Sequence, residues 1–399
     1  MKLSPGKNIC VTVITSILPI RDLPNKADEN DVILVTEQKL IRKYQNTSFE
    51  YIFSLPASNT IFSLLSKRWA SFFEVGKKPK VQTKFGKWVF PFTILRVPRV
   101  GGTVNYWAFL LSSLFFKKRL CRLIQTTNPN IVHAHNLIPN GLLAHHIKRK
   151  HGIPYIITAR IDKQISFSKI EMEIFRCASA IICLTPSHKK KIPFEFQDKA
   201  KLITHGVDEE FFINRATILN DPIQIITIAR LLPYKNIEKV ILALSTIKHK
   251  FHYHIYGQGP EHAKLKSLIS DLSLENRVFL HGHADYKRIP DILASMDLFV
   301  LPSFPETFGR VYIEAMAAGV PIVACKGSGM DGIIKEKREG FLLDKPDVDN
   351  IKNVLELILL NPDLITRMRD GAQETARQFH WDRVVSDLHA LYKKHSLPN

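Results

Sequence analysis

Two glutamates with seven residues between them, Glu306 and Glu314, stand in the phrase PETFGRVYIEAMAAGVPIVA, the first on a turn and the second among Val311, Ile313, Ala315 and Met316. Neither carboxylate looks placed for water. The turn between them opens a helix, whose first N–H groups have no partner within the helix and carry the positive end of its dipole. Phe308, Gly309 and Arg310 hold these donors, which makes the turn an anion site. Arg230 and Lys235, in IARLLPYKNIEK, come at the end of another strand pattern. Fixed cations there stabilise an anionic leaving group more in the transition state than in the ground state. His133 and His135 alternate in IVHAHNLIPNG and so share one face of a strand; they have no third partner at metal-binding spacing, and His145 and His146 read as a helix surface. Asp347-Val348-Asp349 has the D-x-D pattern of a divalent-ion site, but it directly precedes a helical pattern, where acidic residues cap the helix and complement its dipole.

The elements that must position these residues follow from periodicity. Residues 298–301 form a buried strand pattern, Pro302 and Pro305 mark a loop, 309–318 a helix stopped by Gly319, and 321–325 a second strand. Strand patterns recur at 9–15, 49–55, 93–97, 131–135, 155–158, 180–184 and 202–204, and again at 223–229, 252–256, 278–281 and 341–343, with helical segments between them. Regular alternation predicts parallel, doubly wound sheets with ligands at the carboxyl ends of the strands. A chain of 399 residues exceeds what one core holds, so two domains are expected. They are placed at residues 1–213 and 214–380, with 214–222 as the linker and an amphipathic helix within 381–399 crossing back to the first domain.

Composition narrows the class. The five cysteines are scattered without a C-x-x-C pair, the usage of a reducing compartment. No apolar run reaches membrane-spanning length, and MKLSPGKNICVTVIT reads as a first strand and not a signal peptide. The net charge of +19 is unevenly divided. Residues 1–215 hold 33 Lys and Arg against 15 Asp and Glu, while residues 216–399 hold 23 against 22. No acidic residue occurs between Glu74 and Asp162, where cations alternate with Trp88, Trp107, Phe115 and Phe116. Such a surface seeks an anionic partner: a nucleic acid through stacking and phosphate contacts, or a membrane with Trp at headgroup level, unless it is a solvated basic face over core aromatics.

The E-x₇-E phrase, with Pro302-Ser303 before it and Ala-Ala-Gly-Val-Pro after it, resembles the signature of the family 4 retaining glycosyltransferases, which have the two-domain GT-B fold. The resemblance implies an α/β protein of two doubly wound Rossmann-like domains facing across a cleft. It implies that Glu306 binds donor-sugar hydroxyls, that Glu314 binds the ribose, and that the Thr307-Phe308-Gly309 helix start takes a phosphate. Arg230 and Lys235 match the family's diphosphate cations. Gly257 and Gly259, in YGQGP, match its turn beneath the nucleotide, and residues 282–285, with Gly282 and Ala284, lie beside the base. By the same resemblance, His135 is expected to point into the cleft near the sugar.

The chain also departs from that pattern. The loop after the first strand, ILPIRDLPNKADEN, has no glycine, and His205 replaces the usual Asn before Gly206. In ITARID, Arg160 stands where many relatives carry a cleft histidine; it suits the diphosphate or an acidic acceptor, and it cannot act as a base because it stays protonated. The expected activity is metal-independent, retaining transfer from a nucleotide-sugar donor, with no cofactor, to a lipid-linked glycan acceptor in surface polysaccharide biosynthesis. Its expected place is the cytoplasmic, anionic face of the membrane, without nucleic acid. The alternatives are a soluble glucan or disaccharide synthase of the same fold and a catalytically silent nucleotide-sugar or nucleic-acid binder.

Overall fold

The computed structural model describes residues 8–15, 32–56, 81–82, 88–94, 120–122, 124–161, 167–213 and 218–398. The loop following the first strand and most of the basic-aromatic interval, including Lys117, Lys118 and Arg119, lie outside them.

Runs of β-branched and apolar residues such as ICVTVIT and IQIITI favour strands buried on both faces. They build two sheets. The first contains β1 (Ile9–Thr15), β2 (Thr47–Pro56), β3 (Val81–Gln82), β4 (Trp88–Ile94), β5 (Ile131–His135), β6 (Tyr155–Ala159), β7 (Ala180–Cys183) and β8 (Ala200–Leu202). Its order is β3-β4-β2-β1-β5-β6-β7-β8, parallel except for β3, which runs antiparallel to β4. The second contains β9 (Ile223–Ile228), β10 (Phe251–Tyr256), β11 (Val278–Gly282), β12 (Leu298–Val300), β13 (Ile322–Cys325) and β14 (Gly340–Leu343). It is wholly parallel in the order β11-β10-β9-β12-β13-β14. Strand order reverses between β1 and β5 and between β9 and β12, and these reversals open the crevices where doubly wound sheets take ligands.

Each sheet is covered on both faces by apolar clusters. The cluster on one face of the first sheet is completed by the last helix, Trp381–His395, whose Val384, Val385, Leu388 and Leu391 pack with Val11, Val13, Ile131 and Ile156. The chain therefore ends on the sheet where it began. At the junction the Val207 N–H donates to the Phe379 carbonyl at 2.9 Å, so both interdomain crossings are tied side by side. The start of β12 is pinned by Asp297, a fully buried carboxylate. It accepts from Arg369 at 2.9 Å, from the Gln224 N–H at 2.9 Å and from Asn220 at 2.8 Å. A buried charge demands such partners, and here they lock β9, β12 and the Asp363–Arg377 helix together.

The sheet edges differ from the sequence expectation. The strand read at 93–97 lies at Trp88–Ile94, the one at 202–204 lies at Ala200–Leu202, and β3 had no counterpart. Two residues are too few to show a period of two. Among the described residues no helix is long and apolar enough to cross a membrane.

Candidate active site

The reversal between β9 and β12 brings the sequence-predicted residues of the second domain together. Asn236 donates to the Pro302 carbonyl at 2.7 Å, and the Phe304 N–H donates to the Tyr234 carbonyl at 3.0 Å, so the loops after β9 and β12 are stitched together. Across this seam the Lys235 ammonium donates to Glu306 at 2.5 Å, with side chains only 13% and 16% exposed. Pairs so shielded hold their geometry better than surface pairs do. Arg230 follows β9 and is exposed.

Directly after Glu306, Thr307 and the buried Phe308 lead into Gly309. Gly309 has φ 73°, and a Cβ there would lie 2.4 Å from the Tyr312 ring, so only glycine turns this corner. The Arg310–Ala317 helix starts at that corner with no side chain capping it, and a Cβ on Gly309 would lie 3.2 Å from Glu306 Cγ, so the positive end of the helix adjoins the Lys235–Glu306 pair. Tyr312 anchors the first turn by donating to the Leu301 carbonyl at 2.7 Å.

Glu314, one turn into this helix, is buried and accepts two bonds on Oε1, from Arg310 Nε at 2.7 Å and from the Tyr286 hydroxyl at 2.9 Å. The Arg310 guanidinium lies 4.9 Å from the Tyr286 ring centroid. Burial first, and then the Glu314 charge, push the Tyr286 hydroxyl well above its ordinary pKa, so it stays a donor. The floor of the site is the YGQGP turn after β10. A Cβ on Gly257 would meet the Ala229 carbonyl oxygen at 1.7 Å, and one on Gly259 the Leu231 carbonyl oxygen at 2.2 Å, so both glycines serve close backbone approach. The Gly257 N–H donates to the Gly282 carbonyl at 2.6 Å, joining this turn to the end of β11. Ala284 follows, half-buried against the second-domain core.

On the first-domain side, His133 is a core residue. It shares hydrogen bonds of 2.7 Å with Tyr392 and with Thr158, and burial drives its pKa down to about 3. His135 stacks on it at 4.3 Å and lines a half-open pocket with Glu37, Thr204, His205 and Tyr392. Burial, then the charges of His133, Arg160 and His205, hold His135 far below the usual histidine range. Its Nδ1 has no hydrogen-bond partner among the described residues. The His205 ring meets Phe308 edge-on at 5.2 Å, so the first-domain cluster of His135, Arg160 and His205 adjoins the helix start of the second domain.

Two residues read as a helix surface, His145 and His146, are instead half-buried. His145 lies edge-on to Tyr155 at 6.5 Å, and burial lowers His146 to about 4. The D-x-D pattern caps a helix: Asp347 accepts the Asn350 N–H at 2.9 Å at the start of the Val348–Leu360 helix. Among the described residues no group of three or more His, Cys, Asp or Glu is placed to hold a metal ion. Sequence reasoning missed Tyr286 and Lys39 and gave Asp208 no role. The i, i+4 spacing of Arg310 and Glu314 was the one legible signal of this network.

The profile of glycosyl transferases group 1 matches residues 208–375, and that of Glycosyltransferase Family 4 matches residues 78–211. The chain is a family 4 glycosyltransferase. Among its relatives is a UDP-Gal:alpha-D-GlcNAc-diphosphoundecaprenol alpha-1,3-galactosyltransferase of Escherichia coli, 27% identical over 68% of this chain and 77% of that one. The GT-B fold of this glycosyltransferase is shared with a sucrose-phosphate synthase from Thermosynechococcus elongatus, at TM-score 0.72 and 16% identity over 97% of this chain and 98% of that one. It is shared also with Anabaena HepE, solved with UDP and glucose, at TM-score 0.63 and 18% identity over 97% and 100% of the two chains.

Proposed function

We propose that this glycosyltransferase moves a sugar, with retention of anomeric configuration and without a metal ion, from a nucleoside-diphosphate sugar to a lipid-linked glycan. The observation that carries the reading is the Lys235–Glu306 pair set against the open N-terminus of the Arg310–Ala317 helix. The helix amides, Lys235 and Arg230 receive the diphosphate, whose negative charge grows as the glycosidic bond breaks. They are aligned before reaction and therefore favour the transition state. Glu306 binds sugar hydroxyls, Glu314 the ribose, and the βα turns carrying Gly257, Gly259, Gly282 and Ala284 cradle the nucleoside. Arg160 and His135 face the reacting sugar or the acceptor from the first domain.

The donor class is supported by the UDP-Gal named for the Escherichia coli relative and by the UDP and glucose bound to HepE. The acceptor class is supported by the diphosphoundecaprenol substrate of the same relative. The positive charge of the first half supports work at the cytoplasmic face of a membrane carrying anionic lipid, where each nearby Lys or Arg contributes about 1 kcal/mol.

A panel of UDP-, GDP-, ADP- and dTDP-sugars incubated with the purified enzyme tests the reading through release of the nucleoside diphosphate. Wild type cleaves at least one of them slowly, and Glu306→Ala cleaves it at least about tenfold more slowly with an unchanged melting temperature. Turnover by Glu306→Ala close to wild type removes the donor-site assignment.

A further inference from the structure

Tyr286 stands between two carboxylates. Its hydroxyl lies 2.9 Å from Glu314 Oε1 and 3.5 Å from Asp208 Oδ2. A phenol has one proton to donate, so only one of the two carboxylates receives it at a time. Asp208 would compete strongly if its charge were bare. It is not, because Lys39 forms a salt bridge with Asp208 Oδ1. The two partners pack against different cores, because the chain reaches the second core before the boundary expected at residue 213. Lys39 rides on the Val32–Lys43 helix, whose Leu34 and Leu40 are buried in the first-domain core. Asp208 precedes the Glu209–Phe211 turn, and its neighbours Val207 and Phe211 are buried in the second-domain core; Phe211 lies 5.6 Å from the Tyr286 ring.

We propose that Tyr286 is a positioning residue for Glu314, and that Lys39, by neutralising Asp208, keeps the Tyr286 proton on Glu314 and so makes nucleotide binding depend on the placement of the first domain. The proposal rests on the reading that Glu314 receives the ribose. With Arg310 and Tyr286 both bonded to Oε1, the Glu314 carboxylate is held in one orientation. Withdrawal of Lys39 exposes the Asp208 charge, which draws the Tyr286 hydroxyl away. Glu314 then keeps Arg310 alone and loses its fixed orientation. A nucleotide held well by a fixed Glu314 in turn favours the arrangement in which Lys39 meets Asp208, because such coupling is reciprocal.

Calorimetric titration of the full-length variants tests this, with UDP, GDP, ADP and dTDP tried in turn and the nucleotide that binds wild type used throughout. Glu314→Ala should weaken binding about tenfold or more, since hydrogen bonds to charged groups are the strong ones. An unchanged affinity there overturns the donor-site reading itself. Tyr286→Phe, which keeps the ring, should weaken binding about tenfold. Lys39→Met, which keeps the apolar stem and lies outside the donor site, should weaken it several-fold, and Lys39→Arg should not.

The deciding variant is Lys39→Met combined with Asp208→Asn. Removing the competing charge should restore the affinity that Lys39→Met lost, whereas loss of a merely structural contact predicts a double variant at least as weak as the single one. In a Tyr286→Phe background, Lys39→Met should have no further effect. A weakened Glu314→Ala beside an unaffected Tyr286→Phe, or a double variant that binds no tighter than Lys39→Met alone, overturns the relay and leaves the donor-site reading standing.

Discussion

Replacing Lys235 by Met separates the stability of the Lys235–Glu306 pair from its catalytic work. The ammonium and carboxylate lie 2.5 Å apart with side chains 13% and 16% exposed. Exposed pairs contribute about 0–1 kcal/mol, while breaking a fully buried pair costs about 3–5 kcal/mol. This pair lies between those limits, so its loss should cost about 2 kcal/mol, a fall in melting temperature of roughly 4–8 °C. The catalytic loss should be larger. Removing one prealigned group facing a developing charge costs about 10²–10³ in turnover. Lys235→Met should therefore lose about a hundredfold or more in kcat, measured by nucleotide release from saturating donor at a temperature where calorimetry shows the variant folded. KM should change less, because the cation acts most strongly on charge that appears only as the bond breaks. Lys235→Arg should recover part of the rate. A Lys235→Met enzyme within about threefold of wild type in kcat would refute the assignment of Lys235 to the leaving group.

On the proposed mechanism Lys235, Arg230 and the helix amides do the work of a divalent ion, so chelation by EDTA should leave activity largely intact; complete loss restored by manganese would contradict this and point to Asp347 and Asp349. Vesicles containing anionic lipid should bind the enzyme more than neutral ones, and less as salt rises, since screening at about 0.15 M acts over roughly 8 Å. Replacing Lys117, Lys118 and Arg119 by Ser should reduce that binding while donor cleavage persists, and salt-sensitive binding to single-stranded nucleic acid with none to vesicles would sink the membrane reading. Stability should fall on acidification. Burial lowers His133 to about 3 and both His146 and His254 to about 4, whereas the unfolded chain protonates histidines near pH 6.5. The unfolded state thus binds more protons below about pH 6.5, so the contribution of neutral histidines is complete above that value and is lost as pH falls toward 4 and below. A melting temperature equal at about pH 7.5 and about pH 5 would contradict it.

The proposed donor site was legible because its residues are local in sequence. Strand, turn and helix from β12 to β13 are contiguous, so periodicity and the glycine at 309 placed Glu306 and Glu314 before any contact was known. Lys235 was legible for the same reason, as a strand-end cation, although nothing in the sequence showed that it would meet Glu306 across 71 positions. Tyr286 and Asp208 lie 78 positions apart, and Lys39 and Asp208 lie 169 apart. Such partners are set by strand order, which alternation alone leaves open. His145 and His146 were misread because their helix, with Lys148, Arg149 and Lys150 in its last turn, looks solvated; the polar run hides the half-buried face against Tyr155.

Time-resolved NMR of the sugar released from an α-linked nucleotide sugar tests the proposed chemistry most directly. The α anomer should appear first and then mutarotate, and Glu306→Ala should suppress it. A β anomer at the earliest times would contradict retention at the Lys235–Glu306 site.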